Sequence, residues 1–352
     1  MKISLITDLH LGYKENTIQS KMMYDTLDWF FDYVKKENIQ NIFILGDIFN
    51  HRQTIDFMTI KNTYDHLINP IIENNIQAYI IAGNHDCYYK NTNEIYSVEL
   101  LFSHIKNLHL VKEQPENTII GNTTFQMIPW MCPENYQNCM DIIQKSNSDY
   151  LLGHFEINGF TMVKGIKCKN GISKETFKKF KKVFSGHFHI NDDQENICYI
   201  GTPYEKDWND KSENKGFYIL DIDTNEYQYI KNENPFHITV EYNNGFVFDD
   251  ISLLKDKNVK LIVNNIDKQS KFDKDIIELQ KINPYKLSII ENTQTIINEE
   301  ENNSTDEENV VEFDLNDNIK LLTTYTDNIE TDLDKEILKD NLIKIYNESI
   351  EK

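Results

Sequence analysis

The 352-residue chain lacks any uninterrupted apolar run of the roughly 18–20 residues that a membrane span needs. It also lacks the pattern of a signal peptide, because its first residues, MKISLITDLHLG, read as a strand and soon reach an acidic side chain. Its five cysteines form no CxxC pair, and their odd number and irregular spacing favour reduced thiols. These absences predict a cytoplasmic protein with no membrane partner.

Positive charge is also scarce: 36 basic residues stand against 57 acidic ones, for a net charge of −21. Such acidity by itself argues against a nucleic acid as the partner. The charge is unevenly spread, however, because residues 1–240 carry a net −8 and residues 241–352 carry −13. The acidity of the last third therefore does not exclude DNA as a partner of the first two thirds.

A lysine cluster interrupts this acidity. Eight lysines lie between Lys164 and Lys182, with Glu175 as the only acidic residue among them. Any single lysine there is typical of a solvated helix face. Taken together the cluster is a candidate for phosphate contacts, and Lys164, Lys167 and Lys169 are the members that we expect to bind substrate.

Short apolar runs alternate with amphipathic segments along the first part of the chain. The runs predict strands at Ile3–Thr7, Asn41–Leu45, Gln77–Ala82, Phe125–Ile128, Tyr150–Gly153, Val183–Ser185, Ile197–Ile200 and Gly216–Ile222. The segments between them predict helices at Ser20–Glu37, Thr54–Glu73, Glu94–His104 and Tyr136–Ser146. This alternation predicts an α/β sandwich, and runs such as ISLIT and NIFILG are typical of central strands covered on both faces.

Composition divides the chain into four predicted parts, of which residues 1–234 are the first domain. The segments FHITVEY, NVKLIVNNI, DKDIIELQKI and KLSIIEN predict a small α+β capping domain at 235–296. Residues 297–317 hold nine acidic and no basic side chains, as a flexible linker does. Helical periodicity returns at Leu333–Ile350, so we predict a helical tail at 318–352 that packs on the body or binds a partner.

The stretch SGHFHIN places His187 and His189 on either side of one phenylalanine. We predict that the segment KKVFSGHFHIN forms a short strand and that this strand ends in a loop at Ser185–Gly186. On an extended chain, residues i and i+2 point to the same side, so both rings could face one point. Alone, such a pair is more often ordinary histidine than a metal ligand, and other ligands must decide the matter.

Five motifs with metal-binding side chains stand at the ends of predicted strands. They are TDLHLG with Asp8 and His10, LGDIFNHR with Asp47, AGNHD with Asn84, His85 and Asp86, LGHFE with His154, and SGHFHIN with His187 and His189. In open α/β sheets, sites collect where the carboxyl ends of the strands meet. The sequence therefore predicts that these side chains meet at one edge of a sheet and form a metal site.

The types of ligand restrict the metal. Carboxylate, imidazole and amide oxygen without thiolate suit Mn²⁺, and they suit Zn²⁺ or Fe less well. The ligands are too many for one ion, whereas two ions about 3.5–4 Å apart can share a bridging carboxylate, clamp a phosphate and activate a water. Asp47, alone in its motif, is the natural bridge. We therefore predict a site for two Mn²⁺, or for Mg²⁺ or another divalent ion in their place.

The order D-x-H, GD, GNHD, GH, GHxH resembles the calcineurin-like metallophosphoesterase superfamily over about the first two thirds of the chain. The resemblance implies a four-layer α/β/β/α sandwich. It implies one ion held by Asp8, His10, Asp47 and His189, and a second held by Asp47, Asn84, His154 and His187. The histidine after the asparagine is not a ligand in that family, so His85 would stabilise or protonate the leaving oxygen, assisted by Asp86.

Two motifs separate this chain from the protein phosphatases of the superfamily, which carry GDxVDRG and GNHE where this chain has GDIFNHR and GNHD. Together with IPWMCPEN, GHFEINGF and YIGTPY, they resemble the SbcD-type nucleases of double-strand-break repair, the meiotic recombination eleven family. The chain also resembles the recombination endonuclease subunits of T-even-type phages, which are nucleases of this type. The resemblance implies a Mn²⁺-dependent DNA exonuclease and endonuclease that acts in recombination, repair and replication.

The same resemblance implies partners. It implies a homodimer and an SbcC-type ATPase subunit with coiled-coil arms, in the host-cell cytoplasm if the chain is viral. Helices after the small second domain grip the base of those arms in the family, and Leu333–Ile350 is the segment that fits this role.

Two alternatives from other classes remain. A metallophosphatase or cyclic-nucleotide phosphodiesterase could use the same site, but such enzymes need neither the small second domain nor the tail. A non-catalytic scaffold that recruits the ATPase would predict decayed ligands, and every expected ligand is present.

The chain departs from the family pattern after GD-apolar-Phe, where relatives have Asp or His and this chain has Asn50. His51 and Arg52 follow and are candidate phosphate contacts, although a solvated loop explains them equally well. Glu156 follows a ligand motif, and we expect it to support a ligand or the local structure.

Overall fold

We describe the protein from a computed structural model. It describes residues 1–211 and 214–291, together with five helical positions near the end of the chain: Lys335, Leu338, Lys339, Asn341 and Leu342. The chain divides into two compact units, residues 1–293 and 294–352. The predicted linker at 297–317 and, apart from those five positions, the predicted tail at 318–352 lie outside the described residues. No helix in the described part combines the length and the apolar composition that a bilayer crossing requires.

Up to residue 291, the described part of the chain forms eighteen strands and six α-helices. The strands are β1 (Lys2–Ile6), β2 (Asn41–Ile44), β3 (Gln77–Ile81), β4 (Leu108–Val111), β5 (Glu116–Ile120), β6 (Thr123–Ile128), β7 (Tyr150–His154), β8 (Thr161–Val163), β9 (Ile166–Lys167), β10 (Lys182–Gly186), β11 (Asp192–Gln194), β12 (Ile197–Tyr199), β13 (Gly216–Asp221), β14 (Glu226–Lys231), β15 (His237–Asn243), β16 (Phe246–Val247), β17 (Asn258–Asn265) and β18 (Lys286–Glu291). The helices are α1 (Ile18–Lys36), α2 (Phe57–Thr63), α3 (Asn69–Glu73), α4 (Ser97–Phe102), α5 (Tyr136–Lys145) and α6 (Gln269–Lys281).

Two six-stranded sheets form the body of the first unit. The first has the order β14-β13-β1-β2-β3-β4, and the second has the order β11-β12-β10-β7-β6-β5. In the first sheet, β1 to β4 are parallel neighbours and β13 runs antiparallel to β1. In the second sheet, β6, β7, β10 and β12 are parallel. In each sheet, the carboxyl ends of the parallel strands therefore lie at one edge, where loops follow them.

The alternation of side chains in β1 explains how the sheets stack. Ile3 and Leu5 belong to one buried cluster with Phe125 and Leu152 of the second sheet, whereas Ile6 belongs to another cluster with Leu27 of α1. The second sheet packs its other face on α5, and this face forms a third cluster. The central strands are thus apolar on both faces. The predicted four-layer α/β/β/α sandwich is confirmed.

Helix α1 shows how local sequence sets an element. Thr17 is its N-cap: the Thr17 hydroxyl accepts from Ser20 N at 3.3 Å, and Ser20 Oγ accepts from Thr17 N at 3.1 Å. The helix therefore begins at Ile18, two residues before the predicted start. Its apolar face packs on the sheet, where the rings of Phe30 and Phe217 meet edge to face with centroids 4.8 Å apart.

The strand prediction was right for the centres of the sheets and missed their edges. All eight predicted strands are present as β1, β2, β3, β6, β7, β10, β12 and β13. In these two sheets, the four missed strands are the edge strands β4, β5, β11 and β14. The short strands β8, β9 and β16 were also not predicted. Edge strands are partly exposed, so their sequences mix polar and apolar residues and lose the continuous apolar signature.

A third, four-stranded sheet follows the body, with the order β16-β15-β17-β18. Strands β15, β17 and β18 are parallel, and α6 makes the crossover between the last two. Leu261 of β17 packs with Phe272 and Leu279 of α6 in a separate buried cluster. The β-α-β pattern predicted from the sequence is therefore present within the first compact unit, whereas the predicted domain boundaries stay predictions.

All five cysteines are free and buried. Cys87, Cys198 and the pair Cys139 and Cys168 belong to three different buried clusters. Burial raises the pKa of the Cys198 thiol to about 12. Buried, protonated thiols of this kind are poor nucleophiles. This agrees with the predicted reduced state and gives the cysteines no part in chemistry.

We predict that Gly186→Ala destabilises the protein by about 1–3 kcal/mol, the usual effect of overpacking a core. An added Cβ would overlap Thr7 Oγ1 and come within 2.7 Å of the Leu45 carbonyl oxygen, so the two sheets could not approach at their carboxyl ends. The free energy of unfolding in urea measures the effect. Gly245→Ala is the matched control, because its nearest neighbour would be Lys271 Nζ at 3.5 Å. Equal stability of both variants would contradict the prediction.

Candidate metal centre

The seven proposed ligands come together at the carboxyl ends of strands from both sheets. Asp8 and His10 follow β1, Asp47 follows β2, Asn84 follows β3, His154 ends β7, and His187 and His189 follow β10. Gly186 pairs with His154 in the register of β10 and β7, which brings these two loops side by side. The parallel arrangement alone thus gathers ligands that are far apart in the sequence.

His10 and His189 point ring nitrogens at each other. Their Nε2 atoms are 3.0 Å apart, and Asp8 completes a set whose ligand atoms all lie within 4.8 Å of one another. Two nitrogens that each bind one ion at ~2.0–2.1 Å, with an angle of roughly 90–110° between them, are about 3.0–3.4 Å apart. The separation therefore fits one ion, and it matches the first ligand set expected from the sequence.

A second group of ligand atoms surrounds Asn84. Its Oδ1 lies 3.0 Å from His154 Nε2 and 3.0 Å from His187 Nδ1. Asp47 lies between the two groups, because its Oδ2 is 3.4 Å from His154 Nε2 and 3.8 Å from His10 Nε2. This is the position that a carboxylate shared by two ions requires.

Hydrogen bonds fix which nitrogen of two of these histidines faces the centre. His154 Nδ1 lies 2.7 Å from the Leu45 carbonyl oxygen, so Nδ1–H donates there and Nε2 carries the free lone pair. His187 Nε2 lies 3.1 Å from Glu156 Oε1, so Nδ1 faces Asn84. Glu156 thus holds a proposed ligand in place, the supporting role expected from the sequence.

The backbone at the centre is unusual. Asp8, His10, Asp47 and His187 have φ values of 53°, 44°, 55° and 89°, in the left-handed region that non-glycine residues rarely adopt. Strand β10 ends at Gly186, so His187 and His189 are not the extended i, i+2 pair that the sequence suggested. The turn instead sends His187 toward Asn84 and His189 toward His10.

Tertiary hydrogen bonds hold this strained backbone. Asp8 N donates to Gly46 O at 3.0 Å, and His10 N donates to Asp47 O at 2.9 Å. His187 N donates to the Asp8 carboxylate at 3.1 Å. Strain of this kind persists only where the surroundings fix it, and it clusters at functional sites.

Asp86 has a different role from the one expected. Its buried carboxylate accepts hydrogen bonds from the backbone N–H groups of Gly83, Asp47, Ile48 and Phe49, at 2.8–3.2 Å. Among the described residues it makes no hydrogen bond to the His85 ring, so it does not orient that ring directly. It instead fixes the loop that carries Asp47, because an acceptor with two oxygens satisfies four buried donors.

His85 is oriented by the backbone of the neighbouring loop. Its Nδ1 lies 2.7 Å from the Asn50 carbonyl oxygen, and its backbone N donates to Asp47 Oδ1 at 2.8 Å. The ring centroids of His85 and His10 are 5.0 Å apart. His85 also forms a set with His10 and Asp47 whose ligand atoms lie within 4.8 Å of one another. It is therefore placed to reach a group bound at the centre.

The charges of the centre are strongly coupled. Burial raises the pKa of Asp8 to about 7, against the opposing effect of His154. Burial alone would also raise the pKa of Asp47, but His154 and His10 hold it below its ordinary value. Burial opposes the charge of His154, yet Asp47 raises the pKa of His154 to about 9. Binding of a cation must displace these protons, so metal affinity rises with pH.

The predicted substrate contacts lie in two other places. His51 is exposed next to Asn50, which His85 contacts, and one terminal nitrogen of Arg52 is buried without a hydrogen-bond partner among the described residues. Lys164, Lys167 and Lys169 are exposed on and beside the β8–β9 hairpin. Among the described residues, no hydrogen bond or ion pair joins either group to the proposed ligands.

The helix-face interpretation of the lysine cluster is wrong, because the segment forms the β8–β9 hairpin, a short 3₁₀ turn and the start of β10. All five of the later lysines have local partners, and Lys179 Nζ donates to the carbonyl oxygens of Gln144 and Ser146. Lys178 pairs with Glu175, Lys181 with Asp149 and Lys182 with Asp193, while Lys174 donates to Gln194. In the described part of the chain, the three lysines singled out from the sequence have no such hydrogen bond or ion pair.

Two residues near the centre escaped the sequence argument. Trp130 lies with its ring centroid 5.2 Å from that of His187 and 5.9 Å from that of His154. Lys206 lies near His189, whose pKa is lowered to about 3 by burial and then by the Lys206 charge. Trp130 follows the end of β6 and Lys206 follows the end of β12. This position after a strand is the signal that could have identified them. An isolated Trp or Lys carries no ligand pattern.

The donor set fits two divalent cations. Two carboxylates, one amide oxygen and four imidazoles converge, and His154 and His187 have their lone pairs oriented by outer hydrogen bonds. The first ion would be held by Asp8, His10, Asp47 and His189, and the second by Asp47, Asn84, His154 and His187. No thiolate takes part.

The chain is similar to several known proteins. A family model described as calcineurin-like phosphoesterase matches residues 1–264. Exonuclease subunit 1 of Enterobacteria phage T4 is 30% identical over 286 residues, which are 80% of this chain and 82% of that protein. Among solved structures, an archaeal phosphodiesterase has a TM-score of 0.35 and 14% identity, covering 66% of this chain and 99% of its own. A dimetal phosphatase from Danio rerio has a TM-score of 0.37 and 12% identity, covering 62% and 91%.

We predict that the wild-type protein binds two Mn²⁺ and that single substitutions divide them. His187→Ala and His189→Ala should each lose one ion, because each removes a ligand of a different set, whereas Asp47→Ala should lose both. Isothermal titration calorimetry with Mn²⁺ measures the stoichiometry. His109→Ala, an exposed histidine on β4, is the control and should keep both ions. Two ions retained by Asp47→Ala would refute the bridging assignment.

Proposed function

Because this chain belongs to the calcineurin-like phosphoesterase family, we propose that it hydrolyses the phosphodiester bonds of DNA at this centre with Mn²⁺, as an exonuclease and endonuclease. The chain is a metal-dependent phosphodiesterase. One observation carries the proposal, namely that Asp47 lies between two sets of converging ligand atoms. The similarity to exonuclease subunit 1 of phage T4 supports DNA as the substrate.

Two divalent ions, when bound, neutralise the charge of a phosphate and activate water for attack on phosphorus. The protein supplies the geometry. Asp47 holds the two ligand sets together, and Asp86 fixes the loop that carries Asp47. Glu156 and the Leu45 carbonyl keep two histidines in the tautomer that leaves a lone pair toward the centre.

His85 is the residue that we assign to the leaving group. Because Nδ1–H donates to the Asn50 carbonyl, Nε2 is the nitrogen left to hold a proton for the departing oxygen. Breaking a phosphodiester bond expels an alkoxide, and a positioned proton donor lowers that barrier. In this assignment Asp86 acts through the loop and not through the His85 ring.

The acidity of the chain does not prevent DNA binding in this proposal. Two Mn²⁺ bring four positive charges against the two carboxylates among the ligands, so the occupied centre attracts a phosphate. Lys164, Lys167 and Lys169 offer exposed charges for the flanking backbone. Lys206 adds a cation near the centre that makes no ion pair with any described carboxylate.

We predict that with Mn²⁺ the wild-type protein cleaves linear duplex or single-stranded DNA, and that His85→Ala keeps both ions but cleaves at least about 100-fold more slowly. Gel assays of end-labelled DNA measure the rates, and calorimetry counts the ions. His109→Ala should match the wild type. Normal cleavage by His85→Ala would contradict the mechanism. Activity on p-nitrophenyl phosphate or cyclic nucleotides, with none on DNA, would favour the alternative phosphatase or phosphodiesterase.

For partners, we propose an SbcC-type coiled-coil ATPase and a second copy of this chain, in the cytoplasm of the host cell. The phage relative is named as a subunit, which supports a partner. Large apolar side chains project from α2 and α4, where Phe57 is 89% and Leu100 is 71% exposed. Contiguous patches of such side chains mark interfaces, and we assign these two helices to the homodimer interface. The tail at 318–352 is assigned to the ATPase.

We predict that deleting residues 318–352 abolishes co-elution with an SbcC-like ATPase but leaves Mn²⁺ binding and the dimer intact, because both reside in the first compact unit. Size-exclusion chromatography with light scattering measures both assemblies. Phe57→Glu with Leu100→Glu should do the reverse and yield a monomer. Retention of the ATPase by the shortened chain would refute the tail assignment.

A further inference from the structure

A cavity of about 190 Å³ opens directly beside the metal centre and has no role in the mechanism above. Its lining includes Trp130, Met131, Tyr136, Glu156 and Asn170, and it reaches the proposed ligand His154. We propose that this cavity binds one unpaired nucleobase of the DNA strand whose phosphate lies at the metal centre. The inference rests on the proposed function, and it adds a preference for unpaired strands.

The position of the cavity links it to the reacting phosphate. Trp130 lies over two ligands of the second set, with centroid distances of 5.2 Å to His187 and 5.9 Å to His154. Glu156 borders the cavity and also contacts His187 Nε2 at 3.1 Å. The cavity and the centre thus share a wall, and a nucleotide adjoining the scissile phosphate can reach it.

The cavity is lined as a base-binding site would be. Trp130 and Tyr136 present aromatic rings, and Met131 presents a thioether, so the walls can stack on the face of any base. Tyr136 is the first residue of α5 and is 44% exposed, and the Glu156 side chain is 52% exposed. The free Glu156 oxygen accepts hydrogen bonds, as does the Asn170 amide oxygen, which suits the amino groups on the edge of a base.

The size of the cavity selects an unpaired base. Cavities that take drug-sized ligands have volumes of roughly 300–1,000 Å³, so this one admits a single ring system and excludes a base pair. A base inside a duplex must first leave the stack, which is least unfavourable at frayed ends and in single strands. Single-stranded and frayed DNA should therefore be better substrates than intact duplex.

The main chain of Trp130 is held rigidly. Trp130 N donates to Ala82 O at 2.8 Å, next to the loop that carries Asn84. The Trp130 carbonyl accepts from Asn93 Nδ2 at 2.8 Å and from Asn135 Nδ2 at 3.1 Å. A platform fixed before the ligand arrives loses little entropy on binding. These contacts also mean that the side chain can be shortened while the backbone bonds remain.

The test combines a protein variant with a DNA that lacks one base. We predict that Trp130→Ala lowers kcat/KM on a single-stranded oligonucleotide about 5- to 100-fold, the usual range for losing one base–aromatic stack, mainly through KM. A series of oligonucleotides carries an abasic site at each nucleotide flanking the scissile phosphate. At the position that enters the cavity, the abasic substrate should be poor for the wild type and insensitive to Trp130→Ala. Trp130→Phe, which keeps a ring, should recover most of the loss.

Two controls separate the possible failures. Tyr227→Ala removes a tyrosine that is 40% exposed on β14, level with Ile3 at the opposite end of the sheet, and it should behave as wild type. Binding of the same oligonucleotides to His85→Ala with Mn²⁺, followed by fluorescence anisotropy, tests the cavity without cleavage. Equal losses on intact and abasic DNA, or none, would refute the base site. Normal Trp130-dependent binding without cleavage by the wild type would instead refute the proposed nuclease function.

Discussion

The metal centre depends on one buried carboxylate that is not proposed to touch metal. Asp86 accepts four backbone N–H bonds from two loops, and these bonds set the path of the chain at Asp47. Burial raises the pKa of Asp86 to about 7, so the four donors stabilise a charge that its surroundings disfavour. The loops after β2 and β3 therefore share this one carboxylate, which links the two strands at the point where the two proposed ligand sets meet.

The residues around Asp86 have several features that would each be unfavourable in isolation. Four of the proposed ligand residues have left-handed backbone, each of which costs about 1–3 kcal/mol in ordinary contexts. Asp8 and Asp47 are almost fully buried carboxylates close together. The two sandwiched sheets supply the rigidity that permits this arrangement, because Gly186 and His154 lie in register at their ends. Divalent cations would relieve the repulsion between these two carboxylates.

The sequence predicted the centre better than it predicted the surroundings. The order of the five motifs predicted that their side chains meet, and they do, because each follows a central strand and central strands carry a continuous apolar signature. Their roles as ligands stay a prediction. Edge strands such as β14 mix exposed and buried positions, so periodicity misses them. The role of Asp86 was misjudged because adjacency in GNHD says nothing about which loop a side chain reaches. Trp130 was missed because the cavity is lined by residues from three separate segments of the chain, so its wall leaves no local sequence pattern.

The burial of all five cysteines has a practical consequence. None of the native thiols is placed to react readily with a maleimide or a nitroxide reagent in the folded protein. A single cysteine introduced on the surface would therefore take a probe selectively without removal of the native ones. The exposed β8–β9 hairpin, which carries Lys164, is a site where a spin label could report its distance from paramagnetic Mn²⁺. Because the native cysteines are buried, spectroscopic labelling can start from the native sequence with a single added cysteine.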